Sequence, residues 1–253
     1  MVVPVKNVDQ ILSVVIPCFN EENTIEHLLK LVAAQNIVKQ IIVIDDSSTD
    51  SSLKIMNSFN DPRLLILKNH INMGKGFCIN KAIEHVEGEL VILQDADLEY
   101  DPSEYSSIAL PILSGLADVV YGSRFLPSKE KAVLYFWHKL GNNFLTFISN
   151  IFTNLALTDM ETCYKMMKSE YFKMLDVKEK RFGIEPEVTA KLATLGARFY
   201  EVSISYRGRT YKEGKKITWK DGFSALYCIL KYNSMFQKRQ IRKRWQLRLM
   251  ENS

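Results

Sequence analysis

The chain has little cysteine: among its 253 residues only Cys18, Cys78, Cys163 and Cys228 occur, far apart. Without a Cys-x-x-Cys pair there is neither a zinc site nor a disulfide framework, and the four read as core thiols. The histidines are as few, and His27, His70, His85 and His138 show no metal-ligand spacing. They read as surface or packing residues. No uninterrupted apolar run reaches the roughly 18 residues of a membrane span, and no basic segment precedes a cleavage-type site. These absences predict a chain kept in the cytoplasm. Two nucleotide signatures are missing as well. No Gly-x-Gly-x-x-Gly follows the first strand-like run, which removes support for a dinucleotide site. Residues 73–76 (MGKG) lack the upstream Gly and the downstream Ser or Thr of a P-loop.

The chain does carry an alternation of patterns. Apolar strand-like runs recur at residues 12–16, 40–44, 64–67, 90–93 and 118–121, separated by segments with helical spacing. Such alternation predicts an open α/β sheet. Ile25, Leu28, Leu29 and Val32 fall on one helical face, with Asn20 as the expected N-cap. Leu53, Ile55, Met56 and Phe59 form a second such face. Residues 132–157 are amphipathic, with Val133, Trp137, Leu140, Phe144, Ile148, Ile151 and Leu155 at helical spacing. Further strands are expected at 163–167 and 199–204, with helices at 186–195 and 219–232. Without a linker or internal repeat, the pattern predicts one domain over residues 1–232 and a basic tail over 233–253.

The most informative stretch is Leu90 to Asp97, an apolar run that ends in Gln94, Asp95, Ala96 and Asp97. It reads as a buried strand, and i, i+2 spacing in extended backbone points both carboxylates one way. Two like charges side by side call for a cation. Hard oxygen ligands suit Mg²⁺ or Mn²⁺, held by one or two carboxylates with phosphate oxygens and water completing the shell. Glu99 is a candidate third ligand. In open α/β sheets ligands bind beyond the carboxyl ends of the strands. There the sequence places Pro17 to Glu21, Asp45 to Ser48, Asp95 to Asp97, and Gly122 to Arg124. Carboxylates suit a base edge or ribose hydroxyls, and Arg124 suits phosphate.

Taken together, residues 14–21 (VVIPCFNE), 42–50 (IVIDDSSTD), 72–76 (NMGKG), 94–99 (QDADLE) and 122–125 (GSRF) resemble glycosyltransferase family 2, whose members bind nucleotide-sugars on a GT-A fold. Residues 158–165 (TDMETCYK), 182–187 (FGIEPE) and 206–219 (YRGRTYKEGKKITW) look like its polyprenyl-phosphate branch, similar to dolichol-phosphate mannose and glucose synthases. The resemblance implies a GT-A-like, mainly parallel open sheet flanked by helices, to which the helical spacing adds C-terminal amphipathic helices. It implies that Pro17, Phe19, Glu21 and Asp46 hold the nucleoside, with Asn20, Asp45 and Lys75 in the same donor site. Asp95 and Asp97 then hold the metal diphosphate, and Arg124 the phosphates. Phe19 stands where Tyr is frequent, and Glu99 where Gln is frequent.

The implied reaction is inverting transfer of a hexose from a UDP- or GDP-linked donor to a polyprenyl phosphate. Arg207, Arg209, Lys215 and Lys216 are expected to neutralise the acceptor phosphate, and Asp159 to orient it. Transfer to a soluble glycan hydroxyl is the alternative. It needs a carboxylate base, for which Asp159, Glu185 and Glu187 are candidates. Residues 1–125 carry 9 Lys/Arg against 17 Asp/Glu, whereas 126–253 carry 24 against 12. That asymmetry points to an anionic surface. The amphipathic segment 132–157 and the basic stretch 238–248, with Phe236 and Trp245, are expected to meet it as peripheral contacts on the cytoplasmic face of a membrane. No nucleic-acid partner is expected, because a basic tail bound to nucleic acid would leave the strand-end carboxylates unexplained.

Overall fold

The computed structural model of this chain describes residues 9–127, 135–181, 183–208 and 219–251. Seven strands form one sheet in the order β3-β2-β1-β4-β6-β5-β7. They are β1 (Leu12–Cys18), β2 (Val38–Asp45), β3 (Leu64–Lys68), β4 (Leu90–Leu93), β5 (Val119–Ser123), β6 (Lys165–Lys168) and β7 (Phe199–Ser203). Every pairing is parallel except those of β6, which runs antiparallel between β4 and β5. β4 and β5 are buried throughout, as strands covered on both faces must be.

Helices cover the sheet: α1 (Ile25–Ala33), α2 (Ser52–Ser58), α3 (Lys75–Ile83), α4 (Tyr105–Leu113), α5 (Phe136–Thr153), α6 (Ser169–Phe172), α7 (Ile184–Thr194), α8 (Trp219–Tyr232) and α9 (Met235–Glu251). Ile25, Leu28, Leu29 and Val32 of α1 are all buried, each worth roughly 1.5–3 kcal/mol on leaving water. The four cysteines are free and buried.

Three expectations change. Asn20 does not cap α1, which starts at Ile25 after Thr24. It takes a left-handed φ of 55°, which Asn tolerates, and its Oδ1 accepts Thr49 N–H at 2.8 Å. The segment expected at 132–157 is a helix only from Phe136 to Thr153, because Asn154 turns left-handed and ends it; residues 128–134 lie outside the described residues. The basic C-terminal stretch is a helix that folds back. Trp245 of α9 stacks on Tyr171 with ring centroids 5.6 Å apart, and Arg244 pairs with Asp176. Trp245 therefore packs on the fold through this ring contact.

The antiparallel strand shapes the site. Because β6 runs backward, the segment before it, residues 154–164, lies at the same edge as the ends of β1, β2, β4 and β5. Tyr121 near the end of β5 pairs in register with Lys165 at the start of β6.

Candidate active site

The loops after β1 and β2 are stitched together. Asn20 N–H donates to Ser48 Oγ at 3.1 Å, Glu21 N–H to Ser52 Oγ at 2.8 Å, and Glu22 N–H to Asp50 Oδ2 at 3.1 Å. Glu21 Oε2 accepts the Thr24 hydroxyl at 3.0 Å. Phe19 stays well exposed beside them, an aromatic face open to a nucleobase. Asp46 is buried, and its Oδ1 accepts Asn69 Nδ2 and Met73 N–H, each at 2.8 Å, while Oδ2 accepts Gly74 N–H at 2.7 Å. It clamps the NMGKG loop, a role the sequence does not announce. Asp45 accepts Ser48 N–H through Oδ1 at 3.2 Å, and its Oδ2 is buried without a hydrogen-bond partner.

The glycines of that loop serve packing. A Cβ on Gly76 would stand 1.8 Å from Glu179 O, and one on Gly74, whose φ is +88°, 2.6 Å from Lys180 O. This close approach sets Lys75 into the carboxylate edge. Its Nζ lies 2.8 Å from Asp95 Oδ1 and 3.2 Å from Glu185 Oε1. Burial works to raise the Asp95 carboxyl, but Lys75, joined by Cys163 and Lys165, holds the group below its ordinary value.

Asp97 accepts Glu99 N–H at 3.1 Å through Oδ1. Glu99 itself is drawn the other way, since its Oε2 accepts Tyr206 O–H at 2.7 Å and its carbonyl accepts Arg207 N–H at 2.9 Å. Among the described residues no three Asp, Glu, His or Cys side chains converge to hold a metal ion. Glu99, the candidate third ligand, instead accepts from Tyr206 and from the backbone of Arg207 at the start of the loop after β7. Two carboxylates at a strand end still fit a hard ion that takes its remaining ligands from a diphosphate.

Arg124 follows β5. Its Nε and Nη2 donate to the two oxygens of Asp159, each at 2.7 Å, its backbone N–H adds a bond of 3.0 Å, and Nη2 reaches Asn142 Oδ1 of α5 at 3.1 Å. The guanidinium carbon lies 5.1 Å from the Tyr206 ring centroid. Asp159 is fully buried with both oxygens engaged. It positions Arg124 and is not free to serve as a base. Of the other candidate bases, Glu187 is fully buried and accepts Lys178 N–H, Glu179 N–H and Lys191 Nζ, while Glu185 is tied to Lys75.

Arg207 is exposed at the rim, while Arg209, Lys215 and Lys216 lie outside the described residues. Pro17 sits within β1, one residue before its end. The sequence reading missed Tyr206, which joins Glu99 to Arg124, and Glu201, whose carboxylate accepts Thr158 N–H at 2.9 Å and Asp159 N–H at 3.1 Å. A glutamate between Phe199 and Ser203 on one face of β7 was the available signal for the second.

The fold is shared with solved sugar transferases. A crystal structure of glucosyl-3-phosphoglycerate synthase from Mycobacterium tuberculosis, in complex with Mn²⁺, uridine diphosphate and glucosyl-3-phosphoglycerate, superimposes with a TM-score of 0.67 at 17% identity, covering 88% of this chain and 79% of that one. Mannosyl-3-phosphoglycerate synthase from Rubrobacter xylanophilus gives 0.67 at 17% identity, over 93% and 75%. The architecture is thus GT-A-like. Residues 13–175 match the family Glycosyl transferase family 2, and the chain belongs to it. It is a glycosyltransferase. It is similar to a UDP-N-acetylglucosamine–dolichyl-phosphate N-acetylglucosaminyltransferase of Methanococcus voltae, 26% identical over 88% of this chain and 96% of that protein. A dolichyl-phosphate beta-glucosyltransferase of Trichomonas vaginalis is 24% identical over 77% and 65%.

Proposed function

We propose that this glycosyltransferase moves a hexose, with inversion, from a UDP- or GDP-linked donor to a polyprenyl phosphate at the cytoplasmic surface of a membrane. The observation that carries the reading is the orientation of α5. Its buried residues are the polar Thr146 and Ser149, whereas Trp137, Phe144 and Phe147 are 76%, 54% and 60% exposed. A helix with its aromatic side chains turned outward, while Leu145 and Ile148 pack on the core, suits the plane of a bilayer interface. The same helix meets Arg124 through Asn142, so an isoprenoid chain laid along it would bring its phosphate to that arginine.

Neighbouring features support the same surface. α8 packs against α5 and exposes Phe223, Tyr227 and Leu230. Lys238, Arg239, Arg242 and Lys243 of α9 line one open groove, and each basic group near an anionic membrane is worth about 1 kcal/mol. No helix among the described residues is long and apolar enough to cross a membrane. The dolichyl-phosphate transferases among the relatives favour this acceptor class, and the Mn²⁺ and uridine diphosphate bound by the mycobacterial enzyme favour a nucleotide-sugar donor and a divalent ion, Mg²⁺ or Mn²⁺.

In this reading the nucleoside packs on Phe19, and Asp95 and Asp97 hold the ion. Bound there, the ion would neutralise charge on the leaving diphosphate. The acceptor phosphate is already anionic, so the chain need not supply a strong base. Its residues align the two substrates and stabilise charge. Arg124, fixed by Asp159, presents its guanidinium without a search through rotamers. Arg207, with Arg209, Lys215 and Lys216 further along the sequence, neutralises the acceptor.

A soluble hydroxyl acceptor fits less well, since Asp159, Glu185 and Glu187 are all engaged. Sedimentation with phosphatidylglycerol vesicles tests the membrane part. The protein should pellet at low salt and be released as salt rises; protein that stays in the supernatant contradicts it.

A further inference from the structure

We propose that Glu161 binds a hydroxyl of the donor's hexose and so helps to set which sugar is accepted, an inference that rests on the donor reading above. The loop carrying Glu161 is held at nearly every other point. Asn150 pairs with both backbone groups of Leu157, accepting N–H at 3.1 Å and donating to the carbonyl at 2.8 Å. Glu201 takes the Thr158 and Asp159 N–H groups, and Thr146 Oγ1 takes Met160 N–H at 3.1 Å. The Tyr100 hydroxyl oxygen accepts Cys163 N–H at 3.0 Å, and Lys165 Nζ donates to the carbonyls of Met160 and Thr162. Against that background, Glu161 Oε1 and Thr162 Oγ1 are buried with no hydrogen-bond partner. Buried polar atoms are nearly always paired, so two consecutive orphans in a braced loop mark a missing partner.

The surroundings define that partner. The charges acting on Glu161 are those of Glu185, Lys165, Arg124 and Asp159. Glu185 is joined through Lys75 to Asp95 at the proposed diphosphate site, and Arg124, held by Asp159 and Asn142, is the proposed phosphate-binding arginine. Glu161 thus stands within electrostatic reach of both groups that the donor reading sets beside the phosphates, next to which the transferred sugar sits. Glu185 and Asp159 disfavour an anion there, whereas neutral hydroxyls can both donate and accept. Burial, and then Glu185, push the Glu161 carboxyl up to about 8. At pH 7 it is protonated and able to donate to one sugar oxygen while accepting from another; above about pH 8 the donor is lost.

Calorimetric binding of UDP- and GDP-hexoses, compared with UDP and GDP alone, tests the assignment. Glu161→Ala should weaken the nucleotide-sugar about tenfold, the scale of one hydrogen bond, and leave the free nucleoside diphosphate unchanged. Glu161→Gln, which keeps a neutral donor and acceptor and guards against misfolding of the alanine variant, should bind the sugar donor normally at pH 7 and abolish the weakening above pH 8. Equal loss for sugar-nucleotide and free diphosphate would assign Glu161 to the loop's fold, and no change in either would leave only a buried water; both overturn the proposal. Wild-type protein that binds no nucleotide-sugar at all would instead overturn the donor reading on which it rests.

Discussion

At the scale of single residues, the site is organised by ion pairs that consume the obvious catalytic candidates. Asp159 has the position of an acceptor-orienting acid, yet Arg124 occupies both of its oxygens. Removing one partner of a buried pair strands the other charge. Asp159→Asn should therefore lower stability by about 3 kcal/mol in urea unfolding and kcat by roughly 10²-fold, with the donor KM little changed. Asp118, just before β5, is bound by Arg198 at 2.9 Å and Lys168 at 2.6 Å. Hydrogen bonds from Arg198, opposed by burial and aided by Lys168, hold its carboxyl below the ordinary 3.8. Its contribution is complete above that value and is lost as pH falls through the lower folded one. Acid unfolding of Asp118→Asn should show a shallower fall below about pH 4 than wild type, and parallel curves would refute the pairing. The sequence alone could name Asp45, Asp46, Asp95, Asp97 and Arg124 as strand-end residues. It could not say that Asp46 would be spent on Asn69, Met73 and Gly74, or Glu99 on Tyr206, because those partners are set by tertiary approach.

At the scale of elements, the strands were the most legible, since short apolar runs bounded by polar residues have few other uses. The direction of β6 was not, because either direction buries the same side chains; only the bonding to β4 and β5 settles it. Helix α5 was legible as amphipathic, but periodicity does not say which face meets the protein. Here the buried positions are the polar Thr146 and Ser149, with Leu145 and Ile148 partly buried beside them. Because Phe144 and Phe147 are exposed, replacing both with Asp should change the melting temperature little and abolish sedimentation with phosphatidylglycerol vesicles. Retained binding would move the membrane contact to α9. That helix reads as a charged tail in sequence, and its docking depends on Trp245 meeting Tyr171, seventy-four positions earlier in the chain.

At the scale of the whole molecule, the acidic first half builds the donor edge and the basic second half contributes α8, α9 and the loop after β7. The sheet order brings the two together, with β6 delivering residues 154–164 between the carboxylates after β4 and the arginine after β5. In the proposed reaction donor and acceptor meet where the two charge classes adjoin. The most direct test is release of nucleoside diphosphate from a panel of UDP- and GDP-hexoses, with Mg²⁺ or Mn²⁺ or with chelator, in the presence and absence of a short polyprenyl phosphate in detergent. The account predicts release from one donor that requires both the ion and the lipid phosphate; release that is indifferent to the lipid would contradict it.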